Sequence, residues 1–312
     1  MDIGQLSNQI ILMFILMGVG VVINKLNFMS EATSNDLTNI LLYIVSPCLI
    51  IQSFEQPYSA TRLKQFALVL VGVSVLYLVC IVISHFTFSR VKNGELRRMA
   101  TFGSIFSNAG FMGIPLASTL FGNDGVFFAV ATLAAYNIFN WTYGISIYQK
   151  KNGSPRTTFK QQAMKALVNP NIIAILIGLL IFVMSIKLPG VIAKPATYIS
   201  SLNTPLSMLV IGNSLAKSRF KRSDFSTAMV VGIGLRNLVF PLLAFGLLKL
   251  MTISDVSLLT SVLMAACPTA GLVVLFALQA DDNPKYGIAM MTISTVLSLV
   301  TIPLVFFIIS LV

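Results

Sequence analysis

The chain alternates long apolar stretches with short polar ones over 312 residues. Ten stretches approach or exceed the ~20 residues that a helix rising 1.5 Å per residue needs to cross a ~30 Å hydrocarbon core. They run 6–23, 37–54, 66–88, 99–121, 126–148, 171–186, 195–215, 225–248, 256–280 and 286–311. This pattern predicts an all-α integral membrane protein with ten transmembrane helices.

Two spans carry helix breakers at their middle. The fourth holds Asn108, Gly110, Gly113 and Pro115; the ninth holds Pro268, Thr269 and Gly271. Each proline removes a backbone donor and clashes with the carbonyl four residues earlier, and glycine offers no side-chain packing to hold the turn straight. Backbone groups freed in hydrocarbon are tolerated only when they line a cavity or are buried in protein, so both breaks mark a candidate site. On these segments alone, two kinked helices without a ligand would read the same way, because proline is frequent in membrane helices.

Laying Ala109-Gly110 on Ala270-Gly271 separates the breaks by about half the chain, and Ser46-Pro47 of the second span is echoed by Thr204-Pro205 of the seventh at nearly the same spacing. The expected organisation is a five-helix repeat over 1–149, a linker over 150–169 and a second repeat over 170–312. An odd number of spans per repeat inverts one half against the other, with the binding site where the broken helices meet.

Hydrophobic residues make up 56% and charged ones 10%, with a mean hydropathy of +0.88, far from the balance of a soluble domain. A net charge of +11 would suit nucleic acid, but the basic residues are sorted by topology. Fifteen of the 21 Lys and Arg lie in loops after odd-numbered spans, five lie on the other side, and Arg236 lies inside the eighth span. The positive-inside rule puts the odd-numbered loops in the cytoplasm and both termini outside, with no nucleic-acid partner implied. Arg90, Lys92, Arg97 and Arg98, with Lys217, Arg219, Lys221 and Arg222, also suit anionic lipid head groups. Asp2 and no basic residue precede the first span, unlike a secretory signal, so it reads as an uncleaved helix.

The chemistry-bearing residues are few. One histidine, His85, sits near an interface and reads as a snorkelling aromatic; Cys48, Cys80 and Cys267 fall in apolar spans as packed thiols. There is no phosphate loop or metal motif, and the sequon Asn140-Trp141-Thr142 lies inside the fifth span. All ten Asp and Glu stand in loops or near span ends. A carboxylate relay, an aspartyl intramembrane protease and a nucleophile–base constellation are therefore missing, and the expectation is a non-enzyme without a cofactor.

Arg236 is the exception. An arginine at mid-span costs about 2.5–3.5 kcal/mol on the insertion scale, so it should face a cavity or a partner. Two readings stand: an anion counter-charge, touching substrate or holding carbonyls freed at a helix break, or a residue that snorkels or caps the carbonyl left by Pro241. Asn108, Thr269 and the amide ends of the second half-helices would form a positively polarised patch that favours a carboxylate. Asn137, Asn140 and Asn203 add neutral hydrogen-bonding groups, for which tying helices together is the plainer role.

Residues Asn108 to Pro115, the break from Cys267 to Gly271, Ser46-Pro47-Cys48-Leu49-Ile50 and Arg236 in a proline-bearing span together resemble the auxin efflux carrier family, across all ten spans. The short central loop resembles its bacterial branch, which includes malate permease-like transporters. The resemblance implies a fold similar to sodium/proton antiporters, with helices 4 and 9 broken and crossing. It also implies a scaffold of helices 1, 2, 6 and 7, a mobile transport domain of helices 3–5 and 8–10 working as an elevator, and a homodimer. A substrate carboxylate would then sit near Asn108, Pro115, Pro268 and Thr269, walled by Ser46 and Pro47. The expected function is a secondary carrier of a small organic anion in the cell membrane. A sodium-coupled carrier of bile-acid-symporter type is the alternative, although the intramembrane acids of the antiporters are missing here.

Overall fold

The computed structural model describes residues 3–148, 168–217, 225–253 and 255–312. Most of the expected linker, and the basic residues Arg219, Lys221 and Arg222, lie outside the described residues. The described chain is helical: α1 (Ile3–Lys25), α2 (Glu31–Phe54), α3 (Ala60–Phe88), α4 (Gly94–Ile105), α5 (Ala109–Tyr148), α6 (Pro170–Val183), α7 (Gly190–Ser201), α8 (Asn203–Lys217), α9 (Thr227–Leu250), α10 (Asp255–Ala266), α11 (Leu272–Gln279) and α12 (Lys285–Ser310).

Six of these, α1, α2, α3, α5, α9 and α12, are long and apolar enough to cross a membrane. The other expected spans are shorter or broken. The sixth is α6, which stops at Val183 rather than 186, before Ser185 in a left-handed turn at φ 51°. The seventh begins at Gly190 and divides into α7 and α8 at Leu202. Pro205 accounts for that division, since its ring would meet the carbonyl of Ser201 in a continuous helix. The fourth begins at Gly94, five residues earlier than expected, where Asn93 accepts a hydrogen bond from the Leu96 amide. Ser30, Ser59, Asn169 and Ser226 likewise cap α2, α3, α6 and α9, each cap worth about 1 kcal/mol.

Three prolines are absorbed in the same way. Pro47, Pro115 and Pro241 each follow a five-residue wide turn, at Leu41–Val45, Ala109–Gly113 and Leu235–Val239. The residue before each proline donates five residues back instead of four: Ser46 to Leu41, Ile114 to Ala109 and Phe240 to Leu235. The ladder is thus already opened where the proline cannot donate.

Gly122, at φ 60° and ψ −147°, divides α5 between the expected fourth and fifth spans. That backbone geometry is one only glycine adopts readily. The closest packing joins α1 to α8. A Cβ on Gly20 would stand 2.4 Å from the carbonyl oxygen of Leu209, and one on Gly212 would stand 2.0 Å from that of Met17. The second half of α2 packs on α6, while α4, α9, α10 and α12 pack around the breaks. Phe54, Phe66, Phe127 and Phe182 form an aromatic core between α2, α3, α5 and α6.

Candidate functional site

The two breaks meet. Between α4 and α5 the chain is unwound at Phe106–Asn108, and between α10 and α11 at Cys267–Gly271. These segments run antiparallel and pair Ser107 with Thr269. The Asn108 amide donates to the Pro268 carbonyl at 2.6 Å, and the Ala270 amide donates to the Phe106 carbonyl at 3.0 Å. Backbone groups that proline and glycine free from the two helices thereby satisfy one another inside the protein. The unwound part is shorter than the sequence suggests, because Gly110, Gly113 and Pro115 already belong to the first turns of α5.

Thr269 is fully buried and committed. Its hydroxyl donates to the Gly103 carbonyl at 2.9 Å, and its amide donates to Ser294 Oγ at 3.0 Å. Ser294 Oγ in turn donates to Asn237 Oδ1 at 2.6 Å, and Asn237 Nδ2 donates to the Ser294 carbonyl at 3.0 Å. This chain ties the crossing to α12 and α9. Thr269 therefore acts as an anchor here, with its donors spent on protein. Ser294 and Asn237 were not site candidates from sequence; the only signal was the run of hydroxyl residues Thr292, Ser294, Thr295 and Ser298 in an apolar helix.

Arg236 lies on one side of the crossing, only 3% exposed. Its Nη1 donates to the carbonyls of Ser104 (3.2 Å) and Ile105 (2.6 Å), and its Nη2 donates to the carbonyl of Ala265. Those carbonyls are the C-terminal ends of α4 and α10. The guanidinium thus holds carbonyls freed at both breaks. It neither snorkels nor caps the turn before Pro241. Each C-terminal end is equivalent to about half a negative charge, so two of them balance one guanidinium. Arg236 also lines a cavity of about 20 Å³ with Tyr77, Ser107, Thr132 and Ser261, into which a water fits. Arg236 Nε and Thr132 Oγ1 are buried without a partner there.

The N-terminal ends of α5 and α11 lie at the same crossing. Asn108 is half-buried, its side chain caps nothing, and the position a Cβ would take on Gly110 has open space around it. Phe111, one residue on, packs against Leu41 and Val45 of α2 and Val210 of α8. Ser46 Oγ on α2 donates to Asn203 Oδ1 at the start of α8 (3.3 Å), and Pro47 is half-buried beside it. Gly113 and Pro115 are buried, Gly113 against Met264 and Cys267, whereas Gly271 is exposed. Asn137 is buried with Nδ2 unpaired, and Asn140 is buried with neither polar atom paired. The structure thus joins Asn108, Pro268 and Thr269 directly and places Arg236 on the carbonyl side of the same crossing.

Apolar spans with half-helices whose unwound ends meet are the architecture of a membrane transporter. The family described as membrane transport protein matches residues 5–306. The chain belongs to that family, the auxin efflux carriers that its motifs resemble. Its relatives include an uncharacterized transporter of Methanothermobacter thermautotrophicus, 24% identical over 306 residues and 96% of each chain. Another, from Methanocaldococcus jannaschii, is 24% identical over 305 residues, covering 95% of this chain and 96% of that one.

Proposed function

We propose that this protein is a secondary carrier of a small organic anion, a carboxylate such as malate, working by alternating access at the crossing of the fourth and ninth spans. The observation that carries the reading is the charge balance at the crossing. Arg236 offsets the two carbonyl ends, the described Asp and Glu residues stand in loops, near helix ends or beside the Gly122 break of α5, and the amide ends of α5 and α11 remain as uncompensated positive poles. Such a site attracts a carboxylate, with Asn108 as a neutral donor beside it.

Ten spans in two inverted repeats fit the contacts. Span one packs on span seven and span two on span six, and exchanging one with six and two with seven maps either pair onto the other. Side-chain bonds between loops also respect an alternating topology. Arg62–Asp124 joins the loops after spans two and four, Glu55–Leu188 those after two and six, and Arg98–Asp282 those after three and nine. On this reading helices 1, 2, 6 and 7 are the scaffold, and the other six carry the substrate in an elevator motion within a lipid-embedded homodimer.

The test is flux into proteoliposomes from a panel of labelled mono- and dicarboxylates, with a soluble turnover assay as control. Saturable carboxylate flux that Asn108→Ala weakens supports the proposal. Flux of a neutral or cationic solute only, or turnover without flux, overturns it. Dependence on sodium would favour the symporter-type alternative.

A further inference from the structure

We propose that the pocket occupied by the Arg236 guanidinium is a monovalent-cation site whose cation is supplied by the chain itself. Three carbonyl oxygens, from Ser104, Ile105 and Ala265, converge on one buried cationic group, and two of the three belong to one half-helix while the third belongs to the other. Carbonyls at unwound segments and half-helix C-terminal ends are the oxygen donors with which membrane transporters hold small cations. Of the four hydroxyl residues that line the surrounding cavity, Thr132 and Ser261 add oxygen donors. Thr132 Oγ1 is buried and unpaired, and Ser261 Oγ donates to the Ser257 carbonyl and keeps its own lone pairs. Oxygen donors therefore face this point from α4, α5 and α10.

Charge decides between a cation and an anion there. The two carbonyl ends contribute about one negative charge in total, and the guanidinium contributes one positive. With Arg236 in place the pocket is neutral, so a second cation is repelled by Arg236 and an anion meets the carbonyl oxygens. Remove the guanidinium and three carbonyls are left facing each other in a buried, low-dielectric place, the situation that makes loss of one partner of a buried charge pair costly. A free cation small enough for the vacated space restores the balance. The consequence is a carrier with a fixed cation at its crossing, whose stability is indifferent to the ions around it.

The experiment reads stability rather than transport, so it stands whether or not the substrate class proposed above is right. Purified Arg236→Ala and wild type are unfolded thermally in detergent with sodium, potassium, lithium or guanidinium chloride titrated against choline chloride at constant ionic strength. The expected result is a saturable rise in the midpoint of Arg236→Ala with at least one of these cations, and no such rise for wild type. Adding Thr132→Ala should weaken the rise. An Arg236→Ala midpoint that ignores all four cations, or a wild type that responds equally, overturns the proposal. Should the alanine variant fail to accumulate, Arg236→Gln is titrated in its place with the same two outcomes. If both neutral variants fail, accumulation of Arg236→Lys supports an obligatory cation at this point, and its failure as well shows that the planar fork rather than the charge is required.

Discussion

Arg98 grips Asp282 through two parallel hydrogen bonds, Nε to Oδ2 at 2.7 Å and Nη2 to Oδ1 at 2.6 Å, and so ties the start of α4 to the turn after α11. The Asp282 side chain is only 2% exposed against 23% for Arg98. Removing the arginine would leave a carboxylate buried without its counter-charge. Arg98→Ala should therefore destabilise the protein by about 3 kcal/mol, read as a lower midpoint of thermal unfolding. Arg98→Lys should recover part of this through charge alone, having lost the bidentate fork.

The Gly20–Gly212 contact predicts a loss of a different kind. A side chain at either position meets backbone oxygen of the opposing helix, which cannot rotate away. Gly212→Val should force α1 and α8 apart and cost about 1–3 kcal/mol. Gly18→Val, two residues before Gly20 on the same helix and with open space around it, is the control, and an equal midpoint for the two would refute the close-packing account.

Asn108 and Thr269 should separate in their effects. Asn108→Ala removes an uncommitted donor beside the amide ends and should weaken carboxylate binding about tenfold, the worth of one hydrogen bond, with little change in unfolding. Thr269→Val leaves the Gly103 carbonyl without its donor and should cost about 1–3 kcal/mol of stability. Parallel binding and unfolding measurements on both variants check this. An Asn108→Ala variant that binds normally would remove it from the site.

Orientation is tested by labelling. Single cysteines in a Cys-free background at Asn93 and at Ser218, which lies outside the described residues, should react only from the cytoplasm, and one at Asn123 only from outside. Modification of all three from one side would end the alternating topology.

If the crossing binds a carboxylate as proposed, with no acid among the described residues to offset its amide ends, transport should carry net negative charge. In proteoliposomes, efflux should follow an imposed potassium–valinomycin potential and continue when choline replaces sodium. Flux that ignores voltage while tracking a pH gradient would mean a proton travels with the substrate.

The breaks were legible because proline and glycine act on the backbone locally. Pro268 and the Asn108–Pro115 stretch announce lost helix hydrogen bonds in whatever fold they occupy, and their half-chain spacing said that they belong together. The extent of the first break was not legible. Whether Pro115 ends a helix or sits in its first turn depends on the wide turn at Ala109–Gly113, and such turns do not follow from proline alone, since Asn140–Gly144 forms one with no proline after it. The isolation of Arg236 from acids was plain in the sequence. Its partners are backbone carbonyls, however, and every residue has one, so nothing in the letters singled out Ser104, Ile105 and Ala265. Asp282 looked like a loop acid for the same reason: its burial comes from the fold, not from its neighbours in sequence.

The wide turns before Pro47, Pro115 and Pro241 have a consequence for how this chain is interrogated by mutation. Each holds one residue more than the α-helical ladder needs, which advances every later side chain by about 100° around the axis. A helical wheel drawn through α2 or α9 as a single cylinder therefore loses phase at Val45 or Val239, and a stripe of sensitive positions on one side of the turn will jump to another face beyond it. Scanning data plotted with a one-residue offset after each turn should fall back onto one continuous stripe. By the same arithmetic, deleting one residue within Ala109–Gly113 would rotate Asn108 relative to the rest of α5 while leaving the composition of the helix almost untouched.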